Sequence, residues 1–444
     1  MNRLLVVVKK YIPQGMYRWF QPAYHFGLAF FAALTYGFPS RRLTVIGVTG
    51  TKGKTSVVEL LHEILLEGGI RVASISSLRF KVLGKETPNI LKMTMPGRFF
   101  IQRFMHEARK AGCTHVVLEV TSEGIRQFRH RCIDFDVAVF TNCAPEHIES
   151  HGSFERYIRA KLDLFWRLPR SGHAIINGDD SYQQRFRAAT SGRVISYGRG
   201  GIMYDGNLIP IRGIEIGKSG IVFEAGTHTI SSRLTGEFNF YNLCTALAIG
   251  IDMHISFEHM QNAIARVSGI PGRMEYLLRE PFTVVVDYAH TPDSLRNVYE
   301  TLRNENSKFQ IPNSKLICVL GATGGGRDRW KRPEFGKIAA EFCGEIILTN
   351  EDPYDENLQT ILENIESGFL SKYKIQNTNY KKILDRREAI QAALQSARPG
   401  DTVVITGKGA EPWIMGPNGT KILWDDRAVV REELAKLAIR LHCT

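Results

Sequence analysis

The stretch VIGVTGTKGKTSVVELL (45–61) sets an apolar run, a glycine-rich turn ending in Gly53-Lys54-Thr55, and an amphipathic pattern side by side. A buried strand that turns through small residues into a helix is a phosphate-holding arrangement. Glycines let backbone N–H groups converge on phosphate oxygens, and the helix N-terminus adds partial positive charge. The standard G-x-x-x-x-G-K-[ST] spacing fails by one position, because Val48 stands where the leading glycine belongs. What remains is Gly47, Gly50, Gly53, Lys54 and Thr55. Lys54 is read as neutralising the β- and γ-phosphates, and the Thr55 hydroxyl as a Mg²⁺ ligand. The alternative is a tight strand-to-helix turn without a ligand.

Outward from this loop, short Val/Ile-rich runs alternate with amphipathic segments. LTVIGVTG (43–50), THVVLEV (114–120), FDVAVFTN (135–142) and GHAIING (172–178) each end in glycine or polar residues. That is the pattern of a mostly parallel sheet wrapped by helices. Residues 194–234 read instead as a meander of short strands. After a Gly/Pro-marked break, GIPGRME (269–275), the alternation restarts with FTVVVDYAH (282–290), KLICVLGATGGG (315–326), GEIILTNED (344–352) and DTVVITGKG (401–409). The expectation is an α/β chain: a basic and apolar segment 1–43, a central P-loop-type ATP-binding domain 44–268, and a C-terminal Rossmann-like α/β domain 269–444. In such sheets the sites lie at strand C-termini.

Composition narrows the classes. The chain has 444 residues, 43% hydrophobic and 23% charged, which fits a folded multidomain protein. Half of the net charge of +12 comes from residues 1–43, which hold six Lys/Arg and no Asp/Glu. The remaining basic excess is spread thinly and no nucleic-acid-reading module is visible, so no nucleic-acid partner is expected. Seven scattered cysteines without C-x-x-C spacing suggest neither a zinc cage nor a disulfide framework and fit a reducing cytoplasm. The apolar stretch 23–38 falls short of the about 20 residues a membrane-spanning helix needs. Its aromatic rings and flanking charge suit peripheral contact with the inner face of a membrane. Packing against the protein's own body is the other reading. A secretory signal is not expected, because the phosphate loop follows directly.

Further along, EVTSEG (119–124) ends a strand with Glu119, and TNCAPEHIESHG (141–152) ends the next with Asn142, Glu146, His147 and His151. Three strand ends converging on one edge would make a metal and phosphate site out of residues that mean little singly.

GVTGTKGKTS (47–56), EVTSEG (119–124), YIRAKLDLF (157–165), GEFNFYN (236–242), PGRME (271–275), VDYAHTPDSL (286–295), GGGRDRWKRP (324–333) and ITGKGAE (405–411) occur in the order and approximate spacing of the Mur ligases. From about residue 43 to 444 the sequence resembles that family, most of all its UDP-N-acetylmuramyl-tripeptide synthetases. The resemblance implies an ATP- and Mg²⁺-dependent amide ligase: a substrate carboxylate is phosphorylated, an incoming amino acid's amine attacks the acyl phosphate, and phosphate leaves. It implies catalytic roles for Lys54, Glu119, His147 and Lys161, and nucleotide contacts by Gly50, Thr51, Lys52, Gly53, Lys54, Thr55, Ser56, Asn242, Arg273, Asp287 and His290. Thr55, Glu119, His147 and Lys161 match the metal-site positions, Lys161 as the lysine these enzymes carbamylate. Thr94, Ser122, Gln127 and Arg129 match contacts to a muramyl-peptide acceptor, and Asp352, Tyr354 and Glu411 match the free-amino-acid site. A monomer is implied.

Four departures bear on substrate. The family's N-terminal uridine-nucleotide-binding domain has no counterpart in the 43 leading residues. Met95 replaces the second of two threonines. In the motif read as D-N-P-R in diaminopimelate-adding enzymes, this chain has Glu351-Asp352-Pro353-Tyr354, and a tyrosine cannot form the bidentate charged fork of an arginine. Ala410 likewise stands where G-K-G-H-E has histidine. A ligase for another acid, of the folylpolyglutamate or polyamide type, and a non-catalytic nucleotide-binding partner are the alternative functions.

Overall fold

The computed structural model describes residues 14–146, 151–308, 314–326, 328–370 and 379–442. Its first sheet has twelve strands: β1 (Thr44–Thr49), β2 (Val72–Ile75), β3 (Arg79–Val82), β4 (Lys85–Pro88), β5 (His115–Glu119), β6 (Val137–Phe140), β7 (His173–Asn177), β8 (Arg193–Gly198), β9 (Gly201–Tyr204), β10 (Asn207–Gly217), β11 (Gly220–Ala225) and β12 (His228–Ser232). The order is β12-β11-β10-β9-β8-β7-β6-β1-β5-β2-β3-β4. The strands from β8 to β2 are parallel, and β9–β12 and β3–β4 extend the two edges antiparallel. The mostly parallel sheet and the meander after residue 194 are thus as the sequence predicts.

β1 is buried along nearly its whole length because helices cover both faces of the sheet. Ile46 and Val48 join one core with Val57, Leu61 and Ile64 of helix α2 (Lys54–Glu67), while Val45 joins the opposite core with Met105 of helix α3 (Arg98–Lys110). The alternation of side chains along one strand therefore decides which helix each residue meets.

The second sheet consists of β13 (Glu275–Leu278), β14 (Thr283–Val286), β15 (Leu316–Leu320), β16 (Glu345–Leu348), β17 (Asn379–Lys382) and β18 (Thr402–Ile405), ordered β13-β14-β18-β15-β16-β17. All pairs are parallel except β13 with β14. Apolar cores lie on both of its faces.

The cysteine reading needs correction. Cys318 of β15 and Cys343 are joined by a disulfide, with Cα atoms 6.1 Å apart. The crossover through helix Lys331–Phe342 returns the chain beside its starting strand, pairing Cys318 with Ile346, so two cysteines 25 residues apart become neighbours. Spacing alone carries no trace of that contact. Cys113, Cys132, Cys143 and Cys244 are free.

Helix α1 (Gln14–Thr35) begins earlier than the apolar stretch read from sequence and includes Pro22. It lies on α3, burying Ala29, Ala32 and Ala33, and leaves Tyr24, Phe26, Phe30, Phe31 and Leu34 exposed. Among the described residues no helix is long and apolar enough to cross a membrane.

Candidate active site

Register places the chemistry. Val48 pairs with Glu119 of β5 and Thr49 with Phe140 of β6, so the loops leaving three adjacent strands meet at one sheet edge. The loop after β1 is stapled to the loop after β6. Thr51 N donates to Asn142 O at 2.9 Å, Lys52 N to Asn142 Oδ1 at 2.8 Å, and Thr141 Oγ1 to Lys52 O at 2.6 Å. Gly53, with φ 82°, turns into α2. A Cβ there would lie 2.3 Å from Asn242 Oδ1, so glycine is required by both backbone and space. Asn242 sits on helix α4 (Glu237–Asp252) and is itself fixed by a 2.9 Å bond to Asn239.

The loop's polar atoms face a cavity of about 1140 Å³. Lys54 Nζ donates to the carbonyls of Gly50 and Thr51, each at 3.0 Å. The Thr55 hydroxyl touches both oxygens of Glu119, at 3.2 and 3.0 Å, and Ser77 donates to the same carboxylate through N at 2.9 Å and Oγ at 3.0 Å. A hydroxyl and a carboxylate held together beside a phosphate loop form a hard-oxygen donor set, the type that suits Mg²⁺. Lys161, on helix Phe154–Trp166, is wholly buried, 2.7 Å from Gly50 O and over the Tyr157 ring. Burial, and then the nearby Lys54 charge, lower its pKa to about 7. His147 lies outside the described residues.

Side chains from beyond residue 269 close the other side. His290 Nε2 lies 3.5 Å from Glu146 Oε1, which also holds Lys52 at 3.2 Å. Asp287 receives Met274 N at 2.7 Å and Ala289 N at 2.6 Å, so its carboxylate orders the backbone around Arg273 and His290. The Arg273 guanidinium stacks over Tyr288 at 4.1 Å. Ser56, Asn242, Arg273, Asp287 and His290 all line the cavity with Thr51–Thr55.

Thr94, Ser122, Gln127 and Arg129 gather on the same wall. Thr94 Oγ1 is 2.9 Å from Ser77 Oγ, Arg129 donates to Gln127 Oε1 at 2.7 Å, and Arg129 and Arg98 also hold the carbonyls of Met95 and Gln127. At the far end stand Asp352 and Glu411, joined by fully buried Lys408 at 3.0 and 2.6 Å. Burial alone would raise the Glu411 pKa, but Lys408 and Lys92 outweigh it and hold it at about 2.

Tyr354 is the exception. Its backbone is left-handed (φ 52°), its amide donates to Met415 O at 3.0 Å, and it is absent from the cavity wall. The turn after Pro353 carries it towards Gly325. Sequence reading missed Ser77, which ties Thr55, Thr94 and Glu119 together, and Lys92. A serine after a short strand has no distinguishing pattern; Lys92, directly before Met93-Thr94-Met95-Pro96, could have been flagged as a charge inside an acceptor motif.

Residues 48–250 match the Mur ligase middle domain, and residues 272–409 match the Mur ligase, glutamate ligase domain. The chain is 37% identical over 406 residues to the UDP-N-acetylmuramoyl-L-alanyl-D-glutamate--2,6-diaminopimelate ligase of Aquifex aeolicus, covering 90% of this chain and 79% of that one. The chain belongs to the Mur ligases. Among solved structures, a UDP-N-acetylmuramoyl-L-alanyl-D-glutamate--2,6-diaminopimelate ligase superimposes on this Mur ligase with TM-score 0.60 and 29% identity, over 89% of this chain and 79% of that one. The Mycobacterium tuberculosis folylpolyglutamate synthase shares the fold at TM-score 0.69 and 18% identity, over 86% of this chain and 92% of that one.

Proposed function

We propose that this Mur ligase is an ATP-dependent acid–amino-acid ligase that adds the third amino acid to a muramoyl dipeptide in peptidoglycan synthesis. The observation that carries the reading is one cavity with the phosphate loop and the Thr55–Glu119 pair at one end, Thr94, Gln127 and Arg129 on its wall, and Asp352 with Glu411 at the other end. Three reactants can therefore meet in one cavity, with residues 44–268 acting as the nucleotide-binding domain and 269–444 as the amino-acid-binding domain.

The γ-phosphoryl group passes from ATP to the acceptor carboxylate, giving ADP and an acyl phosphate. The amino acid's neutral amine then attacks the acyl carbon, the C–O bond to phosphate breaks, and the amine's surplus proton is lost as the amide forms. The loop amides and Lys54 hold the phosphates in line, where preorganised positive charge matters most. The Lys52–Glu146–His290 chain keeps the two halves closed over the acyl phosphate and excludes water, which would otherwise hydrolyse it. Thr55 and Glu119 would hold Mg²⁺, which when bound offsets the phosphate charge.

Lys161 is the residue proposed to be carbamylated. Attack on CO₂ requires a neutral amine, and its depressed pKa supplies one near neutral pH. The N–C bond forms with loss of one proton and turns a cation into an anion fit for a Mg²⁺ site. His147 completes the proposed metal ligands.

The protein is proposed to act in the cytoplasm as a monomer. The outward face of α1, with Tyr24, Phe30, Phe31 and Leu34 exposed, together with the basic residues of 1–43, supports peripheral contact with an anionic membrane.

The deciding experiment measures ADP release with UDP-linked and lipid-linked muramoyl-L-alanyl-D-glutamate, each against meso-diaminopimelate, L-lysine and other amino acids. Release that needs both acceptor and amino acid is the expected result. Release only with a folate or another acid would overturn the assignment.

A further inference from the structure

The amino-acid end of the cavity contains a positive charge supplied by the nucleotide-binding half of the chain. Lys92 follows β4, two residues before Thr94, on a left-handed backbone (φ 52°). Its ammonium is 2.5 Å from Asp352 Oδ2 and 3.5 Å from Glu411 Oε2, and its side chain is only 15% exposed. Lys408 takes Asp352 Oδ1 and also bonds Glu411 Oε2. Without Lys92, therefore, buried Asp352 and half-buried Glu411 would share one lysine. A third carboxyl group, Glu351, lines the same cavity, 4% exposed, with Oε2 unpartnered. Buried carboxylates short of a cation are costly, so this end of the cavity demands a second positive charge. An amino acid entering from solution brings one as its ammonium.

We propose that Lys92 is a tethered stand-in for an ammonium group of the incoming amino acid, occupying the Asp352–Glu411 site until the substrate displaces it and so unties the loop that carries Thr94 from the second half of the chain. The inference rests on the ligase reading for the identity of the substrate, and on geometry for the occupancy. Exchange of one ammonium for another leaves the charge of the site unchanged, so displacement needs no change of protonation. It does break the Lys92 tie between the two halves of the molecule. The remaining link nearby between the two halves is Trp413 Nε1 to Ile90 O at 3.1 Å, so the loop is then held mainly within its own half, by Asn89 on Met93 O, Ser77 on Thr94 and Arg129 on Met95 O. Lys92 is thus a positioning residue that couples amino-acid entry to the acceptor wall, and its tether lowers the apparent affinity for the free amino acid by competing for the same carboxylates.

The test uses the full chain with Lys92→Met and Lys92→Arg. Removing the internal competitor should lower KM for the amino acid by at least about fivefold in Lys92→Met with a smaller change in kcat, and Lys92→Arg should stay near the original KM. An unchanged or raised KM in Lys92→Met overturns the proposal, since a lysine that merely holds the halves together predicts that direction. A second measurement needs neither variant nor turnover. Adding meso-diaminopimelate or L-lysine, with a non-hydrolysable ATP analogue, should speed hydrogen exchange of the 91–95 amides; slowed or unchanged exchange with both overturns the tether. Faster exchange in a protein that releases no ADP with any acceptor would remove the ligase reading and leave the tether standing.

Discussion

The Thr55 hydroxyl lies within hydrogen-bonding distance of both Glu119 oxygens, although the two residues are 64 positions apart and on different elements. The β1–β5 register creates the pair, and Ser77 locks the carboxylate from the other side. Glu119→Gln keeps the shape but removes the anion. ADP release should fall by about 10²-fold or more, the scale of losing one preorganised charged group, and the Mg²⁺ concentration for half-maximal rate should rise. Unchanged Mg²⁺ dependence would remove the pair from the metal site.

Lys54 lies across the loop, its Nζ donating to the Gly50 and Thr51 carbonyls, poised where phosphate would sit. Lys54→Ala should lower acceptor-dependent phosphate release by about 10²-fold. Thermal stability should change little, because neutral carbonyls lose only a modest interaction. A large stability loss would make Lys54 structural instead.

Gly53→Ala introduces a Cβ 2.3 Å from Asn242 Oδ1 at a backbone φ of 82°. Nucleotide affinity, measured by calorimetry with an ATP analogue, should drop, and the melting temperature should fall with it. Wild-type affinity would show that the loop tolerates rearrangement.

Lys161 predicts a pH effect with a definite sign. Burial brings its pKa from the ordinary 10.5 to about 7. Below pH 7 both folded and unfolded chains carry the proton, and the folded state bears the full cost of a buried cation. Between 7 and 10.5 only the unfolded chain holds the proton, so stability rises with pH across that window. In metal-free, CO₂-free buffer, Lys161→Met should be more stable than wild type at pH 7 and below, and the difference should shrink towards pH 10. Denaturant titrations across that range check it. Separately, Lys161→Ala should be poorly active and partly rescued by added short carboxylates, and carbon-13 NMR of the wild type should detect a carbamate.

The two faces of α1 should separate by mutation. Phe30→Ser with Phe31→Ser, on the exposed face, should weaken co-sedimentation with anionic vesicles at little cost in stability, whereas Ala32→Asp, in the buried face, should destabilise the fold. Vesicle binding should also decline with salt. Undiminished binding in the double serine variant would withdraw the membrane contact and leave α1 as a packed cover.

What the sequence determined by itself was local. Val45–Thr49 as a buried strand, Gly50–Lys54 as a phosphate turn and the apolar positions of α2 follow from near-neighbour chemistry, and the ordered motifs from Gly47 to Glu411 carried the family. Burial on both faces marks a parallel strand wherever it occurs, so the eight principal strands were legible one by one. Tertiary structure decided what depends on residues far apart in sequence. The disulfide exists because a crossover brings Cys343 back to β15. The neutral tendency of Lys161 follows from complete burial, which a helix periodicity does not reveal. Tyr354 leaves the cavity because a left-handed turn redirects it. Lys92 reaches Asp352 across 260 residues, and no local pattern encodes that meeting: an ion pair between two separately folded sheets depends on how they pack, which is fixed by surfaces rather than by spacing.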